Sequence, residues 1–185
     1  KPDRHGTPRI KGITMFELLP LLKGWKYKVS SIINPEVYTS KIIDIIDETD
    51  KSGWVLSAEV ISDDKHLHLK MWLDGQLVAT NSPQGFYVGG SRLTMGVPNT
   101  FLYGQIIPGT NQELYGMSLY TTNGYPYNQS IKVSLETTKD QLYIESYQVY
   151  LIEIYDPLLF KQSLLELLNP IPPSPIVQPL GSGKL

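Results

Sequence analysis

Residues Lys65 to Leu73 alternate without a break. Leu67, Leu69, Met71 and Leu73 fall on one side of an extended chain, and His66, His68, Lys70 and Trp72 on the other. A helix would scatter the four apolar side chains around its circumference, whereas a strand of period 2 gathers them on one face. Asp74-Gly75 follows at once. The left-handed backbone of a two-residue hairpin turn suits Gly at little cost, so Gln76 to Thr80 is expected to return as the second arm.

The same kind of signal recurs along the chain. Trp25, Tyr27 and Val29 alternate with Lys26, Lys28 and Ser30, the period of a half-buried strand. Asn34-Pro35 reads as a turn, Val37 to Ile46 as a second strand, and Trp54 to Ile61 as a third beyond a polar loop at 47–53. Between Asn81 and Asn128, short strand candidates at Gly85–Val88, Phe101–Ile107 and Leu114–Thr121 are separated by Pro98-Asn99, Pro108-Gly109 and Asn123-Gly124. Ile131 to Thr137 and Gln141 to Tyr155 close the series, the second long enough to cross a whole sheet and to carry a bulge. Short strands with frequent turn signals form the pattern of a sandwich or jelly roll.

Helix is expected only at the margins. Pro20 limits Ile13 to Leu22 to a short piece. Asp156-Pro157 ends the last strand, and Leu158 to Leu168 has helical spacing at Leu158, Leu165 and Leu168. The expected fold is therefore all-β: a single β-sandwich or jelly-roll-like body over 13–157, a short C-terminal helix over 158–169, a basic extended arm over 1–12 and a proline-rich extended arm over 170–185.

Composition narrows the function classes. The chain has 185 residues, which suits one domain with appendages, and 41% apolar residues, which suffices for a core. Only 18% of its residues are charged, against a usual fraction of about 25%, so part of the surface is expected to be covered by neighbours. A net charge of −2 gives the body no case for nucleic-acid binding, and only the basic arm could meet a phosphate. With no cysteine, disulfide scaffolds, cysteine zinc sites and thiol nucleophiles are excluded. No apolar run reaches the roughly 18 residues of a membrane span, and no signal-peptide hydrophobic region opens the chain. A start at Lys1 fits a chain that has lost a leader by processing.

Candidate chemistry is sparse. His66 and His68 put two imidazoles on one strand face, the spacing of a β-barrel metal pair. Lys70 and Trp72 come next on that face, however, and a cation beside the pair opposes a metal. Glu59, Asp74, Glu113, Glu136, Glu145 and Glu153 sit at strand or turn positions, with no spacing that singles out an acid–base pair. No serine stands in a nucleophile elbow, and Gly89-Gly90-Ser91-Arg92 lacks the lysine and helix of a phosphate loop. No catalytic residue, metal ligand or cofactor is assigned.

Two readings of function remain. The segment Leu69 to Ala79 resembles the strand–Asp-Gly–strand hairpin of laminin-G and concanavalin-like sandwiches. The resemblance implies a carbohydrate-binding module, extracellular or at a cell surface; independently, Trp72, Tyr120, Tyr125 and Tyr127 could supply flat faces for pyranose rings and Asn128 a partner for hydroxyls. The other reading starts from the ends. Pro170, Pro172, Pro173, Pro175 and Pro179 remove backbone donors, and Ile171, Ile176, Val177 and Leu180 are bare apolar residues with no period that could pack them. Such an arm suits docking along a neighbouring subunit, with Arg4 and Arg9 of the basic arm as secondary contacts. Many weak arm contacts add up by avidity, and abundant Tyr suits subunit interfaces. A β-sandwich body with arms resembles the architecture of virion proteins such as phage capsid-associated, connector or tail subunits. The expected partners are other proteins: copies of itself or other structural subunits of a virion.

Overall fold

The computed structural model describes residues 15–32, 34–85, 101–106 and 109–169. The two terminal arms, the glycine-rich segment at 89–92 and most of the strand candidate Gly85–Val88 lie outside the described residues. Ten strands are described: β1 (Trp25–Ile32), β2 (Glu36–Tyr38), β3 (Ile42–Thr49), β4 (Ser52–Ser62), β5 (His68–Leu73), β6 (Gln76–Asn81), β7 (Phe101–Ile106), β8 (Glu113–Tyr127), β9 (Ser130–Glu136) and β10 (Leu142–Ile154).

They form two antiparallel sheets. The larger has the order β1-β10-β4-β8-β7, with β2 pairing β10 beyond the end of β1; the smaller has the order β3-β9-β5-β6. Setting β2 and β7 aside, eight strands remain. Numbered afresh, they run first-eighth-third-sixth in one sheet and second-seventh-fourth-fifth in the other. That is the order of a jelly roll, a long hairpin rolled into two Greek keys.

The layer between the sheets explains the pairing. Leu67, Leu69 and Met71 from the β5 side, Val133 and Leu135 of β9, Val55, Ala58 and Val60 of β4, and Val149 and Leu151 of β10 all pack into one buried cluster. The alternation read at 65–73 thus holds, with the leucine–methionine face inward and His66, His68, Lys70 and Trp72 outward. The hairpin turn is also as expected: Asp74 and Gly75 both take left-handed backbone, with φ of 52° and 76°.

Two short helical elements cover part of the larger sheet's outer face. A single turn, α1 (Met15–Leu18), runs into a 3-10 turn at Leu19–Leu21, and α2 (Pro157–Leu168) follows β10. Leu19, Leu22, Ile152 and Phe160 make a second core there, flanked by Trp25, Trp54 and Leu164. The Asp156 side chain caps α2 by accepting from the Leu159 N–H at 2.9 Å, with Pro157 in the first turn, where its missing N–H costs nothing. The Gly24 carbonyl accepts from the Tyr155 and Asp156 N–H groups. Gly24 has φ of 80°, and a Cβ there would stand 2.5 Å from the Asp156 carbonyl oxygen. Only glycine permits that approach.

Several expectations need correction. Val37 to Ile46 is not one strand: the chain leaves the larger sheet after Tyr38 and enters the smaller one at Ile42, so this run makes the corner between layers. Asn123-Gly124 does not end a strand. β8 runs through it with an irregularity, since Ser57 faces Tyr120 while Val55 faces Tyr125. The bulge expected in the last strand is present, with register shifts between Ile144 and Ser146 and between Tyr150 and Leu151.

Two faces are inverted relative to the sequence pattern. In β1, Tyr27 and Val29 point outward, 66% and 51% exposed, because this edge strand turns Lys28, Ser30 and Ile32 toward the sandwich. In α2, Leu158 and Leu165 face solvent, and Phe160 and Ser163 are buried. The tether at Gly24 sets the helix rotation. It brings Phe160 to 6.1 Å from Trp54, and the Ser163 hydroxyl accepts from the Lys23 N–H.

Met71→Ala is expected to lower the unfolding free energy by about 2–5 kcal/mol, because it empties a wholly buried site. Leu158→Ala should change it by less than about 0.5 kcal/mol. Urea denaturation of the two variants distinguishes this helix rotation from one that buries Leu158.

Candidate functional site

Three surfaces carry the chemistry of the described residues. The first is the end of the sandwich where β4 begins and β10 finishes. Glu153 lies on the inward side of β10, opposite Lys26 of β1, and is only 3% exposed. Its Oε1 is 3.2 Å from Lys51 Nζ and 3.7 Å from Lys26 Nζ, and its Oε2 is 3.7 Å from Lys28 Nζ, which also pairs with Glu48. Burial by itself would raise the Glu153 carboxyl. The Lys51 hydrogen bond and the charges of Lys26, Lys51 and Lys28 outweigh it and hold the group below its ordinary value. Close by, the Tyr127 hydroxyl and Glu48 Oε2 are buried with no hydrogen-bond partner.

The same end is stitched by Asp74. Its carboxylate accepts from the backbone N–H groups of Asn128, Gln129 and Ser130 at 2.7–3.1 Å, tying the β8–β9 turn to the β5–β6 hairpin. The Gln129 bond leads in keeping this carboxyl below its usual range. A polar hollow of about 500 Å³ opens beside the cluster, lined by Asp50, Lys51, Gln129 and Glu153 among others. A carboxylate already surrounded by three ammonium groups, and held ionised, is built to seal an end rather than to trade protons.

The second surface is the outward face of the smaller sheet. Lys132 of β9 bridges Asp44 and Asp47 of β3 at 2.9 and 2.8 Å, and Lys70 of β5 pairs with Glu136 of β9. The two aspartates hold the Lys132 ammonium above its ordinary value. Trp72 stands among these pairs, directly across from Lys132 and Leu77.

The third surface is apolar. Val29 of β1 pairs with Tyr150 of β10, so Tyr27, Val29 and Tyr150 form a row on the larger sheet, beside the helices and next to an edge that pairs with no other described strand. Leu158 and Leu165 of α2 add further exposed apolar area.

The sequence candidates do not converge. Trp72 is half-buried on the smaller sheet, and Asn128 is exposed at the β8–β9 turn. Tyr125 packs against the main core, and Tyr127 is 1% exposed, so its ring cannot serve as a platform; this corrects the expectation for Tyr127. Tyr120 lies in β8, but its side chain is outside the described residues, as are Arg4, Arg9 and every arm residue from Pro170 to Leu180. His66 and His68 are both exposed near Lys70 and Glu136, and no cluster of three or more His, Asp or Glu that could hold a metal occurs among the described residues. Among the described residues no helix is long and apolar enough to cross a membrane.

Sequence reasoning counted Glu153 as one carboxylate among many and missed the Asp44–Lys132–Asp47 bridge. The signal for Glu153 was its place inside the apolar run Leu151-Ile152-Glu153-Ile154. The bridge had none, because its members come from strands separated by more than 80 residues. No protein-family model matches this chain, and no curated protein is significantly similar to it.

Because the Glu153 carboxyl is held below its unfolded value, its contribution to stability is complete above the unfolded pKa of about 4.3 and fades as pH falls through the lower, folded value. Glu153→Gln is expected to cost about 1–3 kcal/mol at pH 7. Thermal melts from pH 7 down to pH 2 should show the difference from the unaltered protein shrinking toward zero below pH 4. A difference that stays constant across that range contradicts the ion cluster.

Proposed function

We propose that this chain is a structural subunit of a large assembly, a bacteriophage or other viral particle, which docks on its neighbours through the arms at 1–12 and 170–185 and through the apolar row of the larger sheet. The observation that carries this reading is the row itself: Tyr27, Val29 and Tyr150 stand outward beside an edge that pairs with no other described strand, where an isolated protein gains nothing by exposing them. Aromatic and apolar side chains at an edge are what a partner chain buries, by face packing or by adding a strand.

The jelly roll adds an associational argument, since capsid proteins use this fold, as do lectins and cupins. The inward face of β5 is filled by Leu69, Met71 and Leu73, so the described interior leaves no room for a cupin-type centre. The low charge fraction fits a surface partly covered by neighbours. A carbohydrate-binding reading retains one specific support, the half-buried Trp72 indole on the outward face of the opposite sheet.

Light scattering coupled to size exclusion tests the assembly reading with two variants. Removing residues 170–185 should leave the far-ultraviolet circular dichroism unchanged but lower the oligomeric mass. The pair Tyr27→Lys and Val29→Lys should do the same independently. If both variants keep the mass of the full chain, the docking surfaces are wrongly assigned.

A further inference from the structure

We propose that the outward face of the smaller sheet binds a neutral, linear oligosaccharide lying along β5, with one sugar ring stacked on the Trp72 indole. This rests on the carbohydrate reading and makes it specific in ligand charge, shape and location.

Trp72 is the starting point. Of the three tryptophans, Trp25 and Trp54 pack against the second core under the helices, and Trp72 alone stands on a sheet face that no described helix covers. An indole ring is costly to leave in water and offers the flat apolar surface that the C–H side of a pyranose ring covers. Shallow hollows lie on either side of it. One of about 250 Å³ is lined by Asp47, Thr49, Trp72, Ser130 and Lys132. The other, of about 640 Å³, is lined by His68, Lys70, Leu77, Thr80 and Glu136. Together they follow β5 along its whole length, roughly 20 Å at the rise of a strand, which suits several rings end to end.

The charges decide the ligand class. Asp44, Asp47 and Glu136 against Lys70 and Lys132 leave this face at −1, and each lysine is already bound to a carboxylate. An anionic glycan would meet no lysine of this described face that lacks a carboxylate partner. A neutral one meets what hydroxyls need: carboxylate oxygens with spare lone pairs, ammonium groups with an unused N–H, and the Thr80 hydroxyl, all held in place by cross-strand pairing. Fixed polar groups around one aromatic plate reduce the ordering that binding requires.

The test uses the full chain. Isothermal titration with cellotetraose, mannotetraose and maltotetraose, run beside heparin and polysialic acid fragments, is expected to show binding by at least one neutral tetrasaccharide, with a shift in tryptophan emission. Trp72→Ala should abolish that binding while keeping the far-ultraviolet circular dichroism of the folded chain, Trp72→Phe should retain it within about tenfold, and Lys132→Met should weaken it about tenfold. Binding of only the anionic glycans, or neutral binding that survives Trp72→Ala, overturns this inference while leaving a carbohydrate function standing. Binding of none overturns both. If Trp72→Ala instead changes the oligomeric mass while no sugar binds, the face is a contact between copies and the inference is likewise wrong.

Discussion

The apolar layer between the two sheets is the constraint on which the rest of this molecule depends. Leu69 and Met71 of β5 and Val133 and Leu135 of β9 face Ala58 and Val60 of β4 and Val149 and Leu151 of β10, and nearly all are wholly shielded from water. Burial of this kind stabilises by roughly 25 cal/mol for each Å² removed from water, which makes it the dominant favourable term in the fold. Because side chains alternate along a strand, committing one face to the layer releases the other. The polar ladder around Trp72 and the apolar row at Tyr27 and Val29 are both outward faces left by that commitment.

Sealing the layer at its ends requires polar groups, because loops carry backbone donors and acceptors that must be satisfied. At one end Asp74 collects three backbone N–H groups and Glu153 collects three lysines. At the other, the Asp64 carboxylate accepts from the His66 N–H and the Thr137 hydroxyl, and Asp63 from Lys139 and the Tyr143 N–H. These carboxylates are structural clasps between loops distant in sequence. Their chemistry is spent on the fold, so among the described residues the surfaces not committed to it are the two outward sheet faces and the exposed side of α2.

The two outward surfaces differ in their physics. The larger sheet shows apolar area beside an edge that pairs with no other described strand, a surface suited to burial against protein. The smaller shows fixed hydrogen-bonding groups around one indole, which favours a polar ligand with a flat apolar side. A single jelly roll can carry both, since its two faces are separated by the whole thickness of the core.

Much of this was legible in residue order. The strict alternation at 65–73, the Asp-Gly turn after it, the long strand before Asp156-Pro157 and the helix beyond are local patterns, and local patterns survive into the fold because a strand's period and a turn's backbone do not depend on distant residues. What could not be read was orientation and company. Tyr27 and Val29 look like an inward face until β1 is placed at an edge, with its polar side toward the sandwich. Leu158 and Leu165 look like a helix stripe until Gly24 fixes the rotation that buries Phe160. The Asp44–Lys132–Asp47 bridge has no trace in the order of residues, since its members meet only after β3 and β9 pair. The chain alone determined most of which segments extend, turn and coil, though not the corner inside Val37 to Ile46 or the passage of β8 through Asn123-Gly124; tertiary packing decided those and which side of each element faces water, because that choice is made between elements rather than within them.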